Sequence, residues 1–295
     1  MNKSIEVLKK IYKPYRYTIL GKAMVLNTSS GDFVVKEKST KNMKELYAYL
    51  NSRSFHNFPN LIDESRSDVN VYEYIEGVSM PEEQKALDLI DVISNLHNKT
   101  TFYKTVTVDD FKEIYDNIKS NIVYLQNYYN SLYEEIKKEV YMSPSHYSLI
   151  RNIYKIFAAL DFTSSELEAW YDLVKEQTKK RVSFIHNKLS LDHFVKSNDD
   201  YLISWEDYRT DSPVMDLVKF YQKEYFNIHF DVLLSRYFDK VGLTEDEKKL
   251  FFILVSIPKK IEFSDSEFKS CQNVREAFDY IFITENLVRP YYAVE

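Results

Sequence analysis

An α+β chain, with a small, mostly antiparallel β lobe carrying one main helix and a large helical lobe with an embedded β-hairpin, is what this sequence predicts. Three observations predict it. Short β-prone runs separated by turns fill residues 15–38 and return at 69–77. Beyond Gly77 the apolar residues switch to long helical periods. A hairpin-like stretch, HFVKSNDDYLISW (193–205), interrupts that helical half. At 295 residues the chain has room for two lobes, since domains usually run about 100–200 residues.

The elements follow in order. YTIL (17–20) is β-prone, AMVLN (23–27) follows Gly21-Lys22, and TSSG turns the chain into DFVVKEK (32–38). A helix fits KNMKELYAYLNSR (41–53), with Met43, Leu46, Tyr47 and Leu50 at helical spacing. VNVYEYIEG reads as a further strand, ended by Gly77, so that residues 1–77 form the small lobe and hinge and 78–295 the helical lobe. PEEQKALDLIDVISNLHNKT (81–100) opens with proline and acids, as a helix start favours. Its Leu87, Ile90, Ile93, Leu96 and His97 share one face, where His97 reads as a packed or capping residue. Amphipathic stretches at 108–138, 144–160 and 164–179 precede a short apolar strand, VSFIH (182–186), then the hairpin and more helices.

Composition excludes several classes. Apolar residues make up 44% and charged residues 28%, as in an ordinary globular protein. A net charge of −6 gives no basic footprint, so no nucleic acid partner is expected. The most apolar run, LFFILVSI (250–257), is too short to span a bilayer, and the charged, interrupted start is no signal peptide. The chain therefore reads as cytoplasmic. One cysteine, Cys271, rules out an internal disulfide, and the six histidines lack zinc spacing. Only four glycines occur, and Gly21 alone lies between the first two strands. A glycine-rich phosphate cradle is absent, because such a cradle needs close backbone approach.

The chemistry-bearing residues cluster at 184–217. His186, Lys188 and His193 lie in one loop, His-Asn-Lys-Leu-Ser-Leu-Asp-His. After the hairpin come Ile203-Ser204-Trp205-Glu206-Asp207 and then Asp211-Ser212-Pro213-Val214-Met215-Asp216-Leu217. This layout resembles the aminoglycoside phosphotransferase and choline-kinase branch of the protein-kinase-like fold, including CotS-type spore-coat relatives. The resemblance implies the two-lobed protein-kinase-like fold over nearly the whole chain. In that family the loop reads His-x-Asp-x-x-x-x-Asn or His, and the later segment Ile-Asp-Trp-Glu-Asp.

Phosphoryl transfer needs a carboxylate to orient the acceptor hydroxyl and ligands that hold magnesium against the phosphates. By the resemblance, Lys188 stands at the position of the catalytic base and Ser204 at that of the principal metal aspartate. His193 takes the second metal position, where some relatives also carry histidine. Magnesium thus loses its main ligand, and the catalytic set is not intact. Asp192 and Asp207 are candidate substitutes for the base, and Glu206 with His193 for the metal. Lys188 itself reads as filling the vacated cation site, balancing Glu206 or Asp207. In the small lobe, Lys36 matches the strand lysine that touches nucleotide phosphates, with Lys38 as rival, and Glu45 matches its ion-pair partner. Glu73, Tyr74 and Ile75 fall where hinge backbone would hold adenine, so ATP or another nucleotide is the implied cofactor. His186 is expected to brace the loop and Trp205 to form core or cleft wall.

Two functions are consistent with these residues. One is a pseudokinase: a kinase-like binding, structural or regulatory module, with a protein partner or a small molecule in its interlobe cleft. The likeness to CotS-type proteins implies a spore-coat association for such a module. The alternative is an active small-molecule phosphotransferase of the aminoglycoside or choline kinase type that uses the displaced acids. Acceptor choice in the family lies in the helical insert, here 106–180, whose periodicity shows core but no ligand.

Overall fold

A computed structural model describes residues 2–65 and 68–292. In chain order the elements are α1 (Asn2–Tyr12), β1 (Arg16–Leu20), β2 (Ala23–Thr28), β3 (Gly31–Glu37), α2 (Met43–Ser52), β4 (Leu61–Asp63) and β5 (Val69–Glu73). These are followed by α3 (Glu82–Thr100), β6 (Phe102–Thr105), α4 (Val108–Ile136), α5 (Pro144–Val174) and β7 (Lys179–Ile185). The hairpin is β8 (Phe194–Lys196) and β9 (Asp200–Leu202), with β10 (Arg209–Asp211) beyond it. Four helices complete the chain: α6 (Val214–Glu224), α7 (Phe230–Val241), α8 (Glu245–Ser256) and α9 (Glu267–Tyr292). The fold class is α+β, with an antiparallel sheet and a large helical part, as expected.

Two compact units emerge, and they do not divide the chain at Gly77. One comprises residues 1–100 and 184–209; the other comprises 101–183 and 210–295. Helix α3 and the whole loop–hairpin segment therefore join the sheet in the first unit.

In that first unit a five-stranded antiparallel sheet runs in the order β1-β2-β3-β5-β4. The register aligns Val34 with Tyr72 and Lys36 with Asn70 across the β3–β5 pair. One face of the sheet packs Met24, Leu26, Val35, Val69 and Val71 against Leu8 of α1. Leu8 is 1% exposed, and burying such a side chain is worth about 1.5–3 kcal/mol. The amino-terminal segment, read from sequence only as charged and interrupted, is thus an amphipathic helix that closes the sheet core. Helix α2 buries Met43, Leu46, Tyr47 and Leu50, the four residues whose spacing predicted it. Asn42 caps it, accepting a bond from the Glu45 amide. Helix α3 packs against the hairpin strands and buries Ile90, Ile93, Leu96 and His97.

The strand expected over 69–77 stops at Glu73. Residues 74–80 lie in neither strand nor helix, and the Val78 amide donates to the Lys196 carbonyl at 2.8 Å. A Cβ on Gly77 would meet Val195 Cγ1 at 3.2 Å, so this crossing of the hairpin is close enough to favour glycine.

In the second unit β6 pairs antiparallel with β7, in a sheet ordered β10-β7-β6. Helix α5 packs against α4, α8 and α9. The two stretches expected at 144–160 and 164–179 are one continuous helix, because Asp161, Phe162 and Thr163 contain no breaker, and the Thr163 hydroxyl donates to the Leu160 carbonyl at 2.9 Å. Tyrosines fasten this unit. The Tyr129 hydroxyl donates to the Lys259 carbonyl at 2.7 Å and accepts from the Ile261 amide at 2.9 Å. The Tyr280 hydroxyl donates to the Val255 carbonyl at 2.6 Å. Buried phenols need such partners. Among the described residues no helix is long and apolar enough to cross a membrane.

Candidate functional site

A cleft of about 630 Å³ lies wholly within the first unit. Strand β3 supplies Val34 and Lys36, and the end of β5 with its extension supplies Tyr72 to Ile75 and Gly77 to Met80. The loop and hairpin supply Leu191, Asp192, Phe194 and Ile203 to Glu206. The sequence-matched residues Lys36, Glu73, Tyr74, Ile75, Asp192, Ser204 and Glu206 therefore share one cavity.

The loop is braced as the sequence suggests. His186 is fully buried, and its Nε2 donates to the Ile203 carbonyl at 2.9 Å. The Ile203 amide in turn donates to the His193 carbonyl at 2.9 Å. Asn187, at φ 63°, reaches with its side-chain amide to the Asp207 carbonyl at 2.9 Å. Trp205 is 1% exposed, lines the cleft and donates from Nε1 to the Leu202 carbonyl at 2.7 Å. Its core-and-wall reading is what the structure shows.

Ser204 adopts left-handed backbone, φ 68° and ψ 53°. That conformation suits Asn and Asp better than Ser, so serine keeps the turn at a cost of about 1 kcal/mol. The turn brings Ser204 Oγ and Glu206 to Lys36. The Lys36 Nζ donates to Ser204 Oγ at 2.9 Å and to Glu206 Oε1 at 2.9 Å. This ion pair is only 17% and 28% exposed at its two side chains. Burial pushes the Glu206 carboxyl up. The Lys36 ammonium, by charge and hydrogen bond, outweighs that together with Glu206's own amide and Lys188, and holds it below the usual carboxylate range.

Two sequence expectations are corrected here. Glu45 does not pair with Lys36. It is exposed at the start of α2, accepting from the Asn42 side-chain amide at 2.8 Å, and the cap draws it there. Lys188 balances Asp207, one of the two acids expected, but does so outside the cleft and does not fill the vacated cation site. It is exposed, does not line the cleft, and its Nζ lies 3.9 Å from Asp207 Oδ2 with both side chains more than half exposed. The cation beside Ser204 and Glu206 in the cleft is Lys36. Asp207 is likewise exposed outside it, whereas Asp192 is exposed at its wall. Lys38, the rival lysine, points elsewhere and donates to the Glu64 carbonyl at 2.9 Å.

His193 is half-buried, and its Nδ1 lies 2.7 Å from the Lys188 carbonyl. A carbonyl only accepts, so Nδ1 carries the proton and Nε2 is the bare nitrogen of the neutral ring. Burial pulls the His193 pKa down. The bond to the Lys188 carbonyl and the charge of Asp192 oppose this, and the Lys188 and Lys36 charges reinforce it, so the net direction is below 6.5. The donors present do not fit magnesium. Ser204 is neutral and already accepts from Lys36, and Glu206 Oε1 is bound to the same ammonium. Among the described residues no three His, Cys, Asp or Glu side chains converge as a metal set.

No sequence-family model and no curated protein matches the chain. Solved structures do. An aminoglycoside phosphotransferase from Alicyclobacillus acidocaldarius superposes with a TM-score of 0.67 over 94% of this chain and 92% of that one, at 10% identity. The AMP-bound spectinomycin phosphotransferase APH(9)-Ia gives 0.59 over 96% and 97%, at 14% identity. The same enzyme with ADP and spectinomycin gives 0.52 over 97% and 98%, at 13% identity. The chain therefore has the protein-kinase-like fold of the aminoglycoside phosphotransferases.

Proposed function

We propose that this is a kinase-fold protein that does not transfer phosphate and works as a ligand-binding module, a pseudokinase. The observation that carries the reading is the double bond of Lys36 to Ser204 and Glu206. Transfer needs a lysine and a metal acting together on the phosphates. Here the lysine bonds to Ser204 and Glu206, and the metal position itself holds a neutral hydroxyl. The base position holds Lys188, whose ammonium cannot accept a proton. Metal plays no part in this cleft, because its principal site is a hydroxyl that serves Lys36. Ligand binding is supported by an open cavity of about 630 Å³ and by the nucleotides and spectinomycin held in structures of this fold.

The test is turnover of ATP by the full chain with magnesium and a panel of hydroxylated acceptors. The expected result is no phosphate release or transfer above that of buffer. Magnesium-dependent transfer that disappears in Asp192→Asn would establish instead the active photransfer-competent alternative, with Asp192 at the cleft wall as its base.

A further inference from the structure

The second unit has a trough of its own, about 560 Å³, between α5 and α9. It shares no lining residue with the cleft of the first unit. The two helices pack side by side in the same direction. Near their starts the Ser145 amide donates to Glu267 Oε1 at 2.6 Å, and further along the Phe162 and Tyr292 rings meet edge to face at 5.2 Å. The lining runs from Tyr154 to Phe162 on α5 and from Tyr280 to Tyr292 on α9, about 12 and 18 Å of helix axis. The space is therefore long rather than round. Ala158 and Ala159 give it depth, because their side chains end at Cβ, and Ile281 and Val288 form the facing wall.

Little polar chemistry is left over in this trough. The Tyr280 hydroxyl donates to the Val255 carbonyl at 2.6 Å, and the Thr284 hydroxyl lies 2.7 Å from that of Tyr221. Three charged residues line the space, and two of them answer each other, Arg289 donating to Glu285 at 2.6 Å. The third is Lys155. It is partly buried and makes no hydrogen bond or ion pair among the described residues. A charge set against apolar walls without a partner is costly, and an anion beside it offsets that cost. A mainly apolar space of this volume, with one polar group to fix orientation, has the character of a small-molecule site.

We propose that the α5–α9 trough binds a linear amphiphile with a single carboxylate head, a free fatty acid. The head pairs with Lys155, and the chain lies over Ala158 and Ala159 toward Phe162 and Tyr292. From Lys155 to Phe162 the helix covers about 10 Å, which suits a chain of medium length. A bilayer would present many anionic heads, whereas the trough offers one uncompensated cation, so the free acid is the source that fits.

Calorimetric titration of the full chain with decanoate, below its micelle concentration, tests this, with 1-decanol and decyltrimethylammonium as neutral and cationic comparisons. Decanoate should bind at one site per chain, at least about tenfold more tightly than either. Lys155→Met should weaken decanoate by about tenfold and leave 1-decanol unchanged, which separates recognition of the head from loss of the trough. Ala158→Phe fills the space and should abolish binding of both. Circular dichroism checks that each variant folds, and Lys155→Met decides alone if Ala158→Phe does not. The proposal is overturned by the absence of saturable decanoate binding, by equal binding of the cationic probe, or by an affinity unmoved in a folded variant. Sedimentation with phosphatidylglycerol vesicles in place of decanoate binding overturns it as well.

Discussion

Lys36 and Glu206 sit 168 and more residues apart from their partners in sequence, and only the left-handed turn at Ser204 brings them together. Removing Lys36 alone strands a largely buried carboxylate. Lys36→Met should therefore cost about 1–3 kcal/mol in denaturant unfolding, below the penalty for a fully buried pair because water still reaches both groups. The pH dependence has a fixed sign. Glu206 has a folded pKa below the ordinary value near 4.5, so its stabilisation is present above that value and lost as pH falls through the folded pKa. Glu206→Gln should flatten the acid limb of stability measured by urea unfolding, and an unchanged limb would count against the pair. His193 works in the same direction, its stabilisation present above 6.5 and lost as pH falls through its lower folded pKa. By contrast, Lys188→Ala should leave stability within about 0.5 kcal/mol, since an exposed pair at 3.9 Å is worth little. The residues that share this cleft were legible through the resemblance of the strand, loop and hairpin motifs to the phosphotransferase pattern. Their pairing was not. The family resemblance implied Lys36 with Glu45, but the local cap at Asn42 holds Glu45, and the turn that delivers Glu206 depends on backbone angles no pattern reveals.

Among the elements, α8 depends on one residue more than its length suggests. Glu247 accepts from the Thr244 amide at 3.0 Å, closing the capping box of that helix. The same carboxylate pairs with Arg181 of β7, whose Nε donates to Glu247 Oε1 at 2.8 Å. Both side chains are at most 12% exposed. Arg181→Met should cost about 3–5 kcal/mol by leaving that acid unpaired, and a double-mutant cycle with Glu247→Gln should recover much of the loss. A cost below 1 kcal/mol would show that the pair is not desolvated in solution. Elements with strong periodicity, such as α2, α3 and α4, were readable because their apolar residues repeat over several turns. The three-residue strands β4 and β10 carry too few residues for alternation to register. Helix α1 was obscured by charges on its exposed side, although Leu8 fixes it to the sheet. The single helix α5 reads as two stretches that break at 161–163, yet Asp161, Phe162 and Thr163 include no Pro or Gly and the helix runs through them.

At the scale of the molecule, the fold and the chemistry separate. The architecture of the aminoglycoside phosphotransferases is kept at 10–14% identity, which shows how little of it depends on particular residues. His186 and Trp205 are buried and brace the loop, while Ser204 and Glu206 both serve the Lys36 ammonium. A ligand should then stabilise the whole chain independently of magnesium, and thermal melting with AMP should shift equally in magnesium and in EDTA. On the proposed reading Lys36, and no divalent ion, is the cation held by Ser204 and Glu206. Electron paramagnetic resonance of manganese, titrated with the protein in the presence and absence of ATP, tests it most directly. The expected spectrum is that of free manganese, or manganese–ATP, with no protein-dependent loss of signal. Stoichiometric binding to the protein that vanishes in Glu206→Gln would contradict it.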